Sequence, residues 1–302
     1  MPQATFQGSV LVGTNLTPAA DEALRQGAQL ARALTAKLLV CHVMPELLST
    51  RVLFPQWRGV DRGKADAIRD AAYGAVERQL AANLATPLDA EIIVGSGTPH
   101  AGLLEQANSR EIGVVVLGPG DTVTQVVRHA TVPVLIARRS PSGPVVGATD
   151  FSDPSLPALS AAAAEASRRG VMLHLIHALD LGAFMLGSPP AAAAPYLDGA
   201  SAIAMEGLSE LRRLAGSKLR NALHQSGMAG EAHLIEGRAT TAIVQYAERV
   251  HANLVVVGTH GRSGLSRLTL GSTAARVIDT APCSVLVVRL AHGQLPLPAK
   301  TA

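Results

Sequence analysis

The amino-acid sequence predicts an α/β protein built as two tandem domains, each a doubly wound parallel sheet. Three observations carry this. The chain has 302 residues, enough for two ordinary cores. A single motif plan is written twice along it. Continuous Val/Leu/Ile runs alternate with helical periodicity, the pattern of strands buried on both faces.

The repeat fixes the organisation. Val12-Gly13-Thr14-Asn15-Leu16-Thr17-Pro18 reads against Gly147-Ala148-Thr149-Asp150-Phe151-Ser152-Asp153 at an offset of 135, and His42 falls on His177 at the same offset. Gly97 meets Gly237 and Gly118 meets Gly258 at an offset of 140, and Val134-Leu135-Ile136 meets Val285-Leu286-Val287 at 151. Residues 1–140 and 141–292 are therefore read as two domains, with a tail over 293–302. The boundary lies near Arg138–Gly143, where Arg-Arg-Ser-Pro-Ser-Gly interrupts the periodicity.

In the second domain the elements follow in order. Pro144–Thr149 is an apolar strand, and Asp153–Arg169 an alanine-rich helix with Pro154 near its start. Val171–Ala178 is the second strand and Ser201–Gln225 a long helix. Ala232–Ile235 is a short strand, Thr240–Val250 a helix and Leu254–Gly258 the fourth strand. Gly271–Thr280 is a helix and Ser284–Arg289 the fifth strand. Pro45–Val60 and Leu179–Gly199, rich in Pro, Gly and Ala, read as excursions outside the core.

Composition narrows the function classes. Hydrophobic residues are 48% and charged residues 16%, a globular balance. Only four of the 26 basic residues are lysines, no basic run occurs, and aromatics are 3%, so no nucleic-acid partner is expected. No stretch approaches a membrane span, and the first residues lack the make-up of a signal peptide. Two cysteines, one per half in apolar runs, suit a reducing compartment and core packing. The protein is expected in the cytoplasm, away from membranes.

One constellation carries chemistry. The strand Leu254–Gly258 ends in Gly258-Thr259-His260-Gly261, and nine residues later Gly271-Ser272-Thr273 opens a helix. Gly258 and Gly261 let the backbone approach a ligand, and a helix start offers unpaired N–H groups to a phosphate. Arg262 and Arg267 lie between as cations able to reach phosphates or as surface charges, and His260 either touches phosphate or packs the turn. Asp150, at the end of the first strand, is placed to accept from ribose or a base amine, or else caps the following helix. With strand order 3-2-1-4-5, Asp150 and Gly258 flank the point where strand order reverses.

Gly258-x2-Gly261-x9-Gly271-Ser272 resembles the complete ATP-binding pattern of the universal stress protein family. Ala148-Thr149-Asp150-Phe151-Ser152, Gly237 and Pro282-Cys283-Ser284-Val285-Leu286-Val287-Val288 resemble that family's other segments, and the resemblance spans nearly the whole chain. It implies tandem five-stranded parallel sheets of order 3-2-1-4-5, adenine nucleotide alpha-hydrolase-like, with ATP and nucleotide-borne Mg²⁺ as ligands. Adenine is implied near Asp150, Ala178 and Val257, with Ala148 and Thr149 also expected to bind the nucleotide. The phosphates are implied along Gly258, Gly261, Gly271, Ser272 and Thr273, with His260 and Arg262 counted among the expected nucleotide-binding residues. Asn253, where many relatives carry Asp, is expected to matter little.

The first domain departs from the pattern. Eleven residues are missing between Gly118 and Val134 relative to the second copy, Gly118-Pro119-Gly120-Asp121 running straight into a helix over Thr122–Ala130. Asp121 takes the position of Ser272, where a carboxylate is expected to satisfy the helix N–H groups and repel phosphate. Asn15 replaces Asp150. ATP is therefore expected in the second domain alone. The first is expected to serve as internal partner in a pseudo-dimer through the last strands, Val134–Ala137 and Val285–Val288, with a further homodimer left open.

No metal site is expected beyond magnesium carried by the nucleotide. His174 and His177, three apart on one strand, point to opposite faces, and no Cys-x-x-Cys or His-Glu-x-x-His occurs. Three readings of function follow: a nucleotide-dependent stress-response regulator read by an unidentified protein partner, a slow ATPase or self-phosphorylating protein using Ser272 or Thr273, and a nucleotide-free scaffold. The absence of an evident general base or of a Gly-Lys-Ser/Thr loop favours the first.

Overall fold

The computed structural model describes residues 6–44, 62–152, 155–180, 198–259 and 270–289. It divides into two units, residues 1–139 and 140–302.

Unit 1 runs β1 (Ser9–Thr14), α1 (Asp21–Leu34), β2 (Leu38–Met44), α2 (Arg62–Asn83), β3 (Ala90–Ser96), α3 (Pro99–Ser109), β4 (Ile112–Leu117), α4 (Thr122–His129) and β5 (Val134–Ile136). Its strands pair in parallel in the order β3-β2-β1-β4-β5. Val10, Leu11 and Val12 of β1 and Val114, Val115 and Val116 of β4 are fully buried, as continuous apolar strands in the middle of a doubly covered sheet should be.

Unit 2 runs β6 (Val145–Ala148), α5 (Leu156–Arg169), β7 (Leu173–Leu179), α6 (Asp198–Ser226), β8 (Gly230–Glu236), α7 (Ala239–Arg249), β9 (Leu254–Gly258), α8 (Ser272–Thr280) and β10 (Ser284–Val288). Its strands, again all parallel, take the order β8-β7-β6-β9-β10. Both units thus show the 3-2-1-4-5 order. Helix α5 starts at Leu156, later than Asp153, and its N-cap is Ser155; residues 153 and 154 lie outside the described residues. Strand β7 continues through Leu179, so the segment after it begins later than expected. All of 45–60, most of 179–199 and the tail 293–302 also fall outside the described residues.

The two units solve the same packing problem with exchanged residues. In unit 1 a Cβ on Gly27 of α1 would lie 2.3 Å from Cγ2 of Val12, so glycine on the helix makes room for valine on the strand. At the matching place in unit 2 the strand carries Gly147 and the helix Ala162, and a Cβ on Gly147 would lie 2.8 Å from Ala162 Cβ. The helix then closes on the sheet through a run of buried alanines, including Ala158, Ala161, Ala162 and Ala166. Both helices end in a left-handed residue, Thr35 (φ 52°) in unit 1 and Gly170 (φ 66°) in unit 2. Glycine accepts that conformation freely, whereas a β-branched residue is strained by it.

Asn253 does more than the sequence suggests. Its backbone N–H donates to Pro144 O, its side-chain amide donates to Pro141 O at 2.7 Å, and its Oδ1 accepts from Arg169 at 2.6 Å. An aspartate could accept from Arg169 but could not donate to Pro141. Arg168 and Arg169 also both reach Glu165, which is 3% exposed. Burial alone would raise the Glu165 pKa, but the hydrogen bonds and charges of the two arginines outweigh it and hold the carboxyl below its ordinary range.

Candidate functional site

The site in unit 2 grows from the ends of two adjacent strands. β6 and β9 pair in a register that aligns Gly147 with Val256, so the chain leaves the sheet at Ala148–Asp150 beside Val257 and Gly258. This is where the strand order reverses, the place beyond the carboxyl ends of the strands at which open doubly wound sheets bind their ligands. Thr149 donates its backbone N–H to Ile176 O of β7, whose next residues are His177 and half-buried Ala178.

The turn after β6 is tightly specified. Thr149 Oγ1 accepts from Phe151 N at 2.9 Å, and Asp150 Oδ1 accepts from Ser152 N at 3.0 Å and from Ser152 Oγ at 2.5 Å. Phe151 is held at φ 62°. The His177 ring Nδ1 lies 2.7 Å from Thr149 O, and the Phe151 and His177 rings pack at a tilt of 36° with centroids 4.4 Å apart. Unit 1 makes the same turn. Thr14 Oγ1 accepts from Leu16 N, Asn15 Oδ1 accepts from Thr17 N and Thr17 Oγ1, Leu16 has φ 62°, and His42 Nδ1 meets Thr14 O at 2.9 Å. Asp150 therefore shapes an Asx turn, the N-cap of α5 being Ser155, and Asn15 builds that turn equally well. What differs between the copies is the charge.

The two ends of the glycine motif are fastened side by side. Thr259 N donates to Val288 O, and Gly271 N donates to Thr259 O, both at 3.0 Å. Gly271 is the N-cap of α8 and, as glycine, brings no side chain to cap the first turn. The amides of Ser272 and Thr273 thus stand at the positive end of the helix, beside the end of β9. Ser272 is exposed and Thr273 half-buried. His260, Gly261, Arg262 and Arg267 lie outside the described residues. The structure accordingly brings together Ala148, Thr149, Asp150, Ala178, Val257 and Gly258 at the strand ends, with Gly271, Ser272 and Thr273 joined to them through Thr259.

Sequence reasoning missed Lys218, whose ammonium sits 5.6 Å from the centroid of the Phe151 ring. It lies on α6, far along the chain from the motif, and only the packing of that helix reveals it.

In unit 1 the loss of the loop has not closed the crevice. A cavity of about 350 Å³ lies at the matching strand ends, lined by Thr14, Asn15, His42, Gly118, Gly120 and Asp121 among others, with neither lysine nor arginine. Asp121 is the N-cap of α4 but makes no side-chain hydrogen bond to the helix. The expected self-capping does not occur, so its influence there is that of a negative charge alone.

The fold is that of two tandem α/β domains, each a doubly wound parallel sheet of order 3-2-1-4-5. The model of the universal stress protein family matches residues 8–138 and again 142–289, and the chain belongs to that family. A universal stress protein of Mycobacterium tuberculosis is 30% identical over 318 residues, spanning 96% of this chain and 99% of that protein. One of Mycolicibacterium smegmatis is 28% identical over 308 residues, spanning 96% and 99%. Among solved structures, a universal stress protein from Archaeoglobus fulgidus shares the fold with a TM-score of 0.64 at 18% identity, over 95% of this chain and 99% of that one. Among the described residues, no helix is long and apolar enough to cross a membrane.

Proposed function

We propose that unit 2 binds ATP with its magnesium and that unit 1 does not, the occupied crevice being the state that a protein partner reads. The observation that carries this is the start of α8, whose N-cap is a glycine with no side chain to occupy the first-turn amides, tied through Thr259 to the strand end where Gly258 leaves the sheet. The amides of Ser272 and Thr273 would take phosphate oxygens, the Gly271 amide being spent on Thr259 O, and small residues at Ala148 and Ala178 would leave room for the base. Asp150 would accept from ribose or a base amine. Bound magnesium would offset the phosphate charge.

Unit 1 keeps a cavity, but one lined by Asp121 and by neither lysine nor arginine, which favours a ligand without phosphates. Native mass spectrometry with ATP and Mg²⁺ tests both halves of the reading. One nucleotide per chain is expected, lost on Gly261→Glu. Two would overturn the account of unit 1, and none would overturn that of unit 2.

A further inference from the structure

His174 and His177 do face apart, but His174 has other company. In the parallel register of β7 and β8, His174 is the direct partner of Glu231. His233 lies two residues further along β8, on the same face. His233 Nε2 is 2.8 Å from Glu231 Oε2, and His174 Nε2 is 3.9 Å from that same oxygen. One ligand atom from each residue falls within 4.8 Å of both others. The imidazoles of His174 and His233 approach to 5.2 Å between centroids.

We propose that His174, Glu231 and His233 form a binding site for a late first-row divalent cation, Zn²⁺ above all. Two imidazole nitrogens and one carboxylate oxygen are the ligand chemistry such ions favour. Around a tetrahedral zinc with bonds of about 2.1 Å, ligand atoms stand about 3.4 Å apart. The observed separations bracket that value, so small side-chain rotations suffice. Glu231 and His233 remain partly open to solvent, with side chains 52% and 35% exposed, leaving access for the ion and for a water as fourth ligand.

A second feature points the same way. His174 Nδ1 lies 2.9 Å from the Tyr246 hydroxyl, on the helix α7 that covers this face. With Nδ1–H donated to Tyr246, the lone pair of His174 is on Nε2, the nitrogen turned toward Glu231. Ligating histidines are commonly oriented by such a partner on the other ring nitrogen. The Tyr246 ring is 3% exposed and carries the Arg249 guanidinium 5.0 Å from its centroid, so the orienting hydroxyl is itself fixed. A bound ion would fasten β8, the outermost strand of unit 2 in this sheet order, to β7.

The full chain, stripped with EDTA and held free of nucleotide, is titrated with ZnCl₂ against a chromophoric chelator. One Zn²⁺ per chain is expected. His233→Ala and Glu231→Gln should each weaken binding at least about tenfold, and Tyr246→Phe about tenfold through His174 alone. His129→Ala, in unit 1, should leave binding unchanged. Thermal melts confirm that each variant is folded, and Co²⁺ in place of zinc should give the intense visible bands of a tetrahedral nitrogen/oxygen site. Absence of saturable zinc would overturn the proposal. So would stoichiometric zinc that survives the Glu231→Gln/His233→Ala double variant.

Discussion

The exchanged packing pair offers a sharp test of how the duplicated halves are built. Gly147→Val would copy Val12 into unit 2. Its Cβ would start 2.8 Å from Ala162 Cβ and 3.0 Å from Leu175 Cδ2, so α5 must lift from the sheet. Overpacking of this kind costs about 2–3 kcal/mol. Ala162→Gly alone copies Gly27 and costs about 1 kcal/mol, the usual cost of glycine inside a helix. If the two changes were independent, the double variant would lose about 3–4 kcal/mol. Unit 1 holds a valine and a glycine in this very arrangement, so the double variant should lose only about 1–2 kcal/mol, a favourable coupling near 2 kcal/mol. Some clash with Leu175 persists, because the matching residue in unit 1 is the smaller Val40. Urea unfolding followed by circular dichroism gives the energies, and hydrogen-exchange mass spectrometry over β6 and α5 places the effect in unit 2. ATP affinity should fall in Gly147→Val and return in the double variant, since β6 carries Thr149 and Asp150. Additivity within about 0.5 kcal/mol would refute the reasoning.

Four further outcomes are expected. Ser272→Asp, which imports the charge of Asp121, should stabilise α8 by about 0.3–1 kcal/mol in thermal melts while weakening ATP binding in calorimetry at least about tenfold. Glu165→Gln should cost about 2 kcal/mol in urea unfolding, less than a fully buried pair because both arginines keep some solvent contact. The Glu165 pKa is depressed in the fold, so its contribution is complete above the ordinary carboxylate pKa and is lost as pH falls through the lowered one. The gap between wild type and variant should therefore narrow only in acid. Thr35→Gly should raise stability by about 0.5–1 kcal/mol by relieving the left-handed threonine, as read from the urea midpoint. Burial pushes the Cys41 thiol up to about 11, so a thiol reagent at pH 8 should leave it unmodified in the native chain and modify it promptly in guanidinium.

Much of the architecture was legible in the residues. Val/Leu/Ile runs can be fully buried only in a sheet covered on both faces, and β1, β4, β6 and β9 are buried in that way. The spacing from Gly258 to Gly271 placed a strand end and a helix start at one crevice, and Thr259 joins them. Element ends were less legible. β7 extends to Leu179 because β8 continues beside it to Glu236, a partnership that propensity does not encode. The role of Asp150 was half legible: its acidity was plain, but its Asx turn appeared only when Asn15 was seen making the same bonds. Lys218 and the neighbours of His174 were invisible for one reason: their partners come from elements distant in sequence and become neighbours only through packing and register.

The bonds that bring Thr259, Val288 and Gly271 together also bear on how such a chain can diverge. Because departure and return meet at one point on the sheet, the length of the segment between them has little bearing on the strands or on α8. Chain-closure entropy changes by only about 0.6 kcal/mol for each doubling of length. A copy can lose eleven residues here and keep its sheet, its final helix and a 350 Å³ crevice, as unit 1 has done. In a duplicated chain, a junction of this kind lets one half vary in loop length without disturbing the sheet or the final helix of either.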